Sequence, residues 1–531
     1  MIQISNVTLP PDCDFSCLEE IVAKVTGLPK KEIGNCKLVK KSVDARKKPN
    51  VVLNCSFTFT LAGEEKAIKK IKHKQTTFVS QQKNDLYIKP CSEKTEPTVI
   101  VGCGPAGLFA GLILARAGMN PLVIDRGQAV EDRIETVTRF WEKGELNPQS
   151  NVQFGEGGAG TFSDGKLNTG TKDPRNRFVL ETFVKHGAPE EILYQAKPHV
   201  GTDRLVTVVR SMRKEIQALG GQVLFSHQLV DVTIQNHQVA GIVVKTPEGE
   251  KEIPCKRLVL ALGHSARDTA KMLLEKGLTM EQKAFSLGVR IEHPQSLINI
   301  SQYGNKWGCP PLPTAEYKLS THLPDGRGVY TFCMCPGGQV VASASVEGGV
   351  CTNGMSLFAR DGKNANSGLL VGISPEDFGS DHPLAGMTLQ ETIEKAAFIA
   401  AGSNYFAPVQ LVGDFLKNQN STCFGDVEPT YRPGVTFCKL EEYLPEFVTG
   451  SLRKALPILG QKLKGFDRAD AVLTGPETRS SSPVKMPRDE GYQANIKGIY
   501  PCGEGAGYAG GITSAAADGI RVALAILEEG K

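Results

Sequence analysis

Residues 97–125 constrain this chain more than any other stretch. An apolar run, Pro97-Thr98-Val99-Ile100-Val101, stops at Gly102-Cys103-Gly104-Pro105-Ala106-Gly107. Small residues follow, Ala110, Gly111, Ala115 and Ala117 among them, and the run closes at Gly118. A second apolar run, Pro121-Leu122-Val123-Ile124, leads into Asp125. The pattern is strand, tight turn, helix, strand. Gly102 permits the turn, Gly104 lets a pyrophosphate approach the backbone, and Gly107 lets the helix pack closely on the strand. The phosphates sit on the N–H groups of the helix start, opened by Pro105 and Ala106. Asp125 lies where a carboxylate accepts from ribose hydroxyls. Arg126, next to it, can welcome a 2′-phosphate or serve as a surface cation. Residues 99–124 are apolar enough to suggest a membrane span, but Pro105, Arg116 and the glycines Gly102, Gly104, Gly107 and Gly111 interrupt them.

The 531 residues leave room for several domains. Residues 1–97 carry 17 Lys and Arg against 11 Asp and Glu, while the whole chain is only +4. This basic block reads as a small α+β module. Strands are expected at 2–9, 37–43 and 51–60, and helices at 15–26 and 64–72. A polar stretch, 85–96, with Pro90, reads as a linker. The basic face can dock an acidic partner or RNA, or be a solvated or interdomain surface. An alternating βαβ pattern runs on to about residue 280. The Gly- and Pro-rich stretch 281–469 looks like an insertion, and residues 470–531 return to a strand, a turn and a glycine-rich helix start. The 14 cysteines are scattered without a CxxC pair, so no metal site is expected and a reducing, cytoplasmic setting is. The first ten residues lack a basic stretch followed by an apolar run, so no signal peptide is expected.

Three further segments bear on the nucleotide. Residues 155–165 hold five glycines in eleven positions, a loop whose exposed N–H groups can wrap an anionic or flat ligand. Its candidate contacts are Gly157, Gly158, Ala159, Gly160, Thr161, Ser163, Asp164, Gly165 and Lys166. The buried strand 258–262 ends at Gly263-His264-Ser265, after the paired strands of 221–245. Here Val230, Ala261, Gly263 and His264 are candidates, and the turn resembles the one that closes the nucleotide site in two-dinucleotide-binding flavoproteins. The third segment, Tyr500-Pro501-Cys502-Gly503-Glu504, is a strand ending on an acid. Gly510, Gly511 and Ile512 then open a helix.

Further stretches fit the same picture: 41–48, 263–268, 288–295, 330–338, 364–367 and 477–484. With these segments the chain resembles, over nearly its whole length, a family of uncharacterised FAD-dependent dehydrogenases. The resemblance implies that Glu504 accepts from a ribityl hydroxyl, and that the helix start at Gly510-Gly511-Ile512 faces the flavin pyrimidine edge, where reduction builds negative charge. Most relatives carry Asp where Glu504 stands, and Arg-Ile where Lys485-Met486 stands. The fold it implies is α/β. A Rossmann-like FAD-binding domain (95–280 and 470–531) is interrupted by an inserted α+β substrate or cap domain (281–469) and preceded by a small α+β domain (1–94).

For the chemistry, Cys335 precedes Pro336-Gly337-Gly338, a turn whose N–H groups can lower a thiol pKa. It is the candidate proton donor or redox partner, and a disulfide to Cys333 would be strained. Arg290 and His293 are candidates for binding and protonating substrate. Lys166 or Asn168 can stabilise the reduced flavin at N1/O2, and Arg479 with the serines after it can line the pocket or recognise an anion. The expected function is an FAD-dependent oxidoreductase acting on a small organic molecule. NAD(P)H can serve as a transient electron donor, since no second GxGxxG appears. A flavin monooxygenase and a flavin-bearing RNA- or protein-binding protein are the alternatives.

Overall fold

The computed structural model describes residues 1–62, 68, 71–79, 86, 88, 90, 97–168, 170–304, 308 and 312–529. The first module is a four-stranded antiparallel sheet. Ile2–Leu9 lies between Val52–Leu61 and Thr76–Phe78, and Ile33–Asp44 pairs on the outer edge of Val52–Leu61. Ile2, Ile4, Leu53, Cys55, Phe57 and Phe59 alternate into its core, beneath the helix Leu18–Thr26. That helix starts three residues later than the spacing suggests, because Asp14 accepts the Ser16 N–H at 2.8 Å and its hydroxyl at 2.7 Å, holding 14–16 in a turn. The helix expected at 64–72 and the linker at 85–96 lie largely outside the described residues. Lys41 joins this module to the body: its N–H donates to the Tyr194 carbonyl at 2.7 Å, and its carbonyl accepts from Ala196 at 2.9 Å.

The second unit is a parallel five-stranded sheet. Its order is Ile499–Pro501, Leu258–Leu260, Val99–Val101, Leu122–Ile124, Gln222–Leu224. The three inner strands are almost wholly apolar because helices and a smaller sheet cover both faces. The helices Pro105–Arg116 and Ile512–Glu529 pack on each other so tightly that a Cβ on Gly519 would stand 2.1 Å from the Ala106 carbonyl oxygen. The strands Gln228–Gln235, Gln238–Thr246 and Gly249–Pro254 form an antiparallel meander. Asn236 and His237, at φ +51° and +58°, make the first of its turns.

The third unit centres on a seven-stranded sheet. Its order is Ser320–His322, Gly328–Cys335, Asn364–Ile373, Phe285–Pro294, Val472–Glu477, Ala407–Leu411, Val435–Phe437. Helices Ala385–Ala400 and Glu446–Lys462 bury apolar faces against it. One boundary differs from the sequence expectation. A boundary at 470 places Val472–Glu477 in the cofactor unit, but this strand pairs with Phe285–Pro294 and Ala407–Leu411 in the seven-stranded sheet. A short apolar run reads alike in a parallel and an antiparallel sheet, so sequence alone could not choose between them. The chain enters this unit through Glu281–Gln282 and leaves through Val484–Lys485, and those two strands pair antiparallel.

Candidate active site

A cavity lies where the parallel sheet, the glycine-rich loop and the seven-stranded sheet meet. At its floor the βα turn is as close as backbones allow. Gly102 has φ +105°, and a Cβ there would stand 2.2 Å from the Ala261 carbonyl oxygen; one on Gly107 would be 1.8 Å from the Gly102 oxygen. Gly104 is the opposite case. Its φ is −76°, and the nearest atom to a Cβ there is the Gly158 Cα at 3.8 Å, so the space above it is open. Asp125 lines the cavity, and its two oxygens accept the N–H groups of Cys103 and Gly127, each at 2.8 Å. Arg126 is neither free nor simply solvated. It pairs with Asp268 at 2.8 and 3.0 Å and lies over the Phe154 ring, 4.5 Å from the centroid.

The glycine-rich loop is held from behind by Arg133, wholly buried, which donates to the carbonyls of Asn151, Val152 and Glu156 at 2.9, 2.9 and 2.6 Å. Gly158, Ala159, Gly160, Ser163, Gly165 and Lys166 face the cavity. Gly157, Thr161 and Asp164 do not. Gly157 packs so closely that a Cβ would stand 2.0 Å from the Thr161 hydroxyl. Asp164 lies under Lys166, which it meets at 2.7 Å, and accepts from Arg360 Nε at 3.0 Å. Burial alone would discharge Lys166, but the Asp164 carboxylate keeps it charged. Val230 sits in a bulge between Leu229 and Asp231, and its neighbours Leu229 and His227 line the cavity instead.

Two distant segments close the site. Ala261, Gly263 and His264 line it, with Glu504 opposite at 3.2 Å from His264 Nδ1. Gly503 does not line it but fixes the approach: a Cβ there would stand 2.8 Å from the Ala106 Cβ, and its N–H donates to Asp518 at 2.8 Å. Arg488 locks Asp518 in place at 2.7 and 2.9 Å. Gly510 and Gly511 have no neighbour within 4 Å of a Cβ, and with Ile512 they present the start of the last helix to the cavity.

The three candidate catalytic residues all lie behind the wall. His293 is completely buried, its Nε2 2.7 Å from the Phe466 carbonyl oxygen and its ring against Phe466 and Tyr317; burial pushes its pKa down to about 4, so it stays neutral. Arg290 is also fully buried, paired through Nε with Glu477 at 2.6 Å. Cys335 is fully buried too, and the turn N–H groups offered to its thiol are spent elsewhere: Gly337 donates to Gln295 at 2.7 Å and Gly338 to the Asn364 carbonyl at 2.8 Å. The neighbouring Cys333, together with burial, pushes the Cys335 thiol up rather than down.

The side chains that reach the cavity from the seven-stranded sheet and its loops include Phe332, Cys333, Asn353, Glu477 and Arg479. Burial pushes Glu477 up to about 7, against the pull of Arg290. Arg479 is held by Glu394 at 2.7 and 2.9 Å and by the Ser265 and Ser345 hydroxyls at 3.1 and 2.5 Å. Arg267 binds the same Glu394 at 2.8 Å through both ends of its guanidinium. A carboxylate in the apolar run 472–477 and a guanidinium in the apolar run 285–291 were the sequence signal for a buried pair.

Residues 284–480 match the model of the FAD-dependent protein, C-terminal domain-like family, and residues 96–288 that of the pyridine nucleotide-disulphide oxidoreductases. Residues 1–60 match a domain of unknown function, DUF8436. An uncharacterized protein of Clostridium beijerinckii is 48% identical over 530 residues, covering 99% of each chain. The chain belongs to a family of uncharacterised FAD-dependent oxidoreductases. Its cofactor is FAD, and its fold is α/β with a Rossmann-type nucleotide-binding unit. Among solved structures it is similar to the flavin-dependent brominase Bmp2, at 13% identity and TM-score 0.38, over 82% of this chain and 79% of that one. It is also similar to an FAD-complexed glycerol-3-phosphate dehydrogenase of Bacillus halodurans, at 13% identity and TM-score 0.36, over 82% and 65%. The residues present fit the family's cofactor. Open space above Gly104 adjoins a helix start, and a second helix start faces the same cavity at Gly510 and Gly511. His264 Nε2 is buried there without a hydrogen-bond partner.

Among the described residues no helix is long and apolar enough to cross a membrane. The acidic or RNA partner expected for the first module gains no support. Lys30 and Arg46 pair with Glu20 and Asp44, Lys41 lies over Phe15, and Lys48 donates to the Ser301 carbonyl.

Proposed function

We propose that the cavity holds FAD stretched from Arg126 to Ile512, and that the enzyme passes hydride through flavin N5 to or from a small organic substrate. One observation carries this: the Gly503-Glu504 turn is seated on the first βα crossover, so two helix starts face one cavity. The helix start beyond Gly104 binds the diphosphate and Asp125 the adenosine ribose, each of its oxygens keeping a second lone pair. Phe154, backed by Arg126, forms the wall at the adenine end. Glu504, oriented by His264, accepts from the ribityl chain. The N–H groups at Gly510-Gly511-Ile512 and the Lys166 ammonium stabilise negative charge on the pyrimidine edge. When bound, FAD supplies reversible hydride transfer. On the substrate side, Phe332 excludes water, Arg479 and Asn353 orient polar groups, and the Glu477 carboxylate oxygens hold or release a proton near neutral pH.

The 1–94, 95–280 and insert division serves this reading, with the insert capping the site. The cytoplasmic location rests on the cysteine pattern and the first ten residues, and NAD(P)H, with no second fingerprint to hold it, binds transiently as donor. The test is the visible spectrum of the purified protein, followed anaerobically as NADH or NADPH is added. A flavin spectrum bleached by one of them is expected. A colourless protein that takes up no added FAD overturns the assignment, and a yellow one that neither nucleotide bleaches removes NAD(P)H as donor.

A further inference from the structure

Strand Gly328–Cys335 loses register with Asn364–Ile373 between Phe332 and Cys335. Cys333 stands in the break at φ +42°, a left-handed backbone that residues with side chains avoid unless their surroundings enforce it. Those surroundings are two cations from different elements. Arg290 Nη1 donates to the Cys333 carbonyl at 2.9 Å, and Lys166 Nζ donates to the Met334 carbonyl. The break takes the two cysteines out of the regular strand in which a disulfide between them would be strained, and Cys335 Sγ donates to the Cys333 carbonyl at 3.3 Å. Both are free thiols. Cys333 is half-buried and faces the cavity beside Lys166, Glu477 and Arg479, whereas Cys335 is sealed behind it. The neighbouring Cys335, with Lys166 and Arg290 nearby, draws the Cys333 thiol down, while Cys335 is pushed up. Two packed strand thiols need neither the left-handed backbone nor the two cationic clamps. An outer thiolate backed by an inner thiol is the arrangement that thiol–disulfide chemistry uses.

We infer that Cys333 and Cys335 form a redox-active dithiol that exchanges an electron pair with the flavin of this cavity. The inference rests on FAD occupying the cavity and names a redox partner for it. Neither cysteine lies within residues 96–288, the part that matches the pyridine nucleotide-disulphide oxidoreductases. In the reductive direction, the Cys333–Cys335 disulfide accepts the electron pair and the proton that reduced, anionic flavin gives up. Its S–S bond breaks, Cys333 remains as thiolate, Cys335 as thiol, and the flavin is left oxidised. The reverse step forms the S–S bond and returns the electron pair and the Cys335 proton to flavin.

The test uses the full-length holoprotein, oxidised with diamide, freed of reagent and titrated anaerobically with dithionite. Electron uptake per flavin twice that of free FAD is expected. C333S and C335S should keep the flavin spectrum and take up the flavin's share alone. In parallel, oxidised wild-type protein is unfolded, alkylated and mapped by mass spectrometry. Cys333 and Cys335 should resist alkylation in a peptide lighter by two hydrogens, with Cys351 modified as the control. Alkylation of both after diamide overturns the dithiol, whatever the flavin content, and so does wild-type uptake equal to that of C335S. A protein that binds no FAD overturns the cofactor reading instead, and the thiol map still decides whether the pair forms.

Discussion

Replacing Glu394 with Gln tests how the walls of the cavity are held in place. Glu394 projects from helix Ala385–Ala400 between Arg479 of the cavity wall and Arg267 at the start of helix Arg267–Glu275, making four contacts of 2.7–2.9 Å. Only 2% of its side chain is exposed, so solvent does not screen these contacts. Gln keeps the shape and removes the charge, leaving two buried guanidiniums without a counterion. Breaking a buried pair in this way costs about 3–5 kcal/mol. For a cooperative unit of roughly 200 residues that is a fall in Tm of roughly 6–20 °C. Burial would raise the Glu394 pKa, but Arg479 and Arg267 hold it well below the usual carboxylate range. A depressed carboxylate stabilises the fold above its unfolded pKa, here 4.5, and loses that contribution as pH falls toward the folded value. The gap between wild type and variant is therefore widest above pH 4.5 and narrows below it. Differential scanning fluorimetry across pH reads both, with Glu391→Gln as control, because the Glu391–Lys395 pair on the same helix is exposed. A Glu394→Gln loss below about 1 kcal/mol, the range of surface pairs, would refute the reasoning.

Gly104→Val should fold, since a Cβ there meets no atom closer than 3.8 Å, yet fill the diphosphate space; near-complete loss of bound flavin is expected, and undiminished flavin content contradicts the placement. Glu477, pushed up to about 7, holds between pH 4.5 and 7 a proton that the unfolded chain has lost. Stability attributable to it thus falls as pH rises through that window, and Glu477→Gln should flatten the slope of urea midpoint against pH. His293 runs the other way. Between pH 6.5 and 4 the unfolded imidazole takes a proton that the buried one refuses, so stability drops on acidification and His293→Gln should lessen the drop; an equal drop in both proteins would reject the assignment.

The nucleotide floor was legible because its demands are local. Gly102, Gly107 and Asp125 act within thirty residues, through contacts that only those residue types permit. The closing turn at Gly503-Glu504 was legible for the same reason, as a strand, an acid and a helix start in sequence. The catalytic wall was not. Cys335, Arg290 and His293 sit on strands largely buried on both faces, where alternation does not show which side meets the cavity, and a single bulge at Cys333 put the neighbouring thiol forward. Glu477 belongs to a strand whose sheet could be assigned only from long-range pairing, so a charge inside each of two apolar runs signals buried partners without showing that Glu477 and Arg290 meet. Arg133, which shapes the glycine-rich loop, gave no signal beyond one more basic residue on an amphipathic helix.

The ribbon of Glu281–Gln282 against Val484–Lys485 sets entry and exit of the seven-stranded unit side by side. Everything between those strands is topologically a closed loop hung from one neck. Lengthening, shortening or exchanging it leaves the spacing of the parallel strands unaltered. A lineage can therefore trade the ceiling over its flavin for another, and with it the molecule admitted, while the floor that grips the dinucleotide stays as it is.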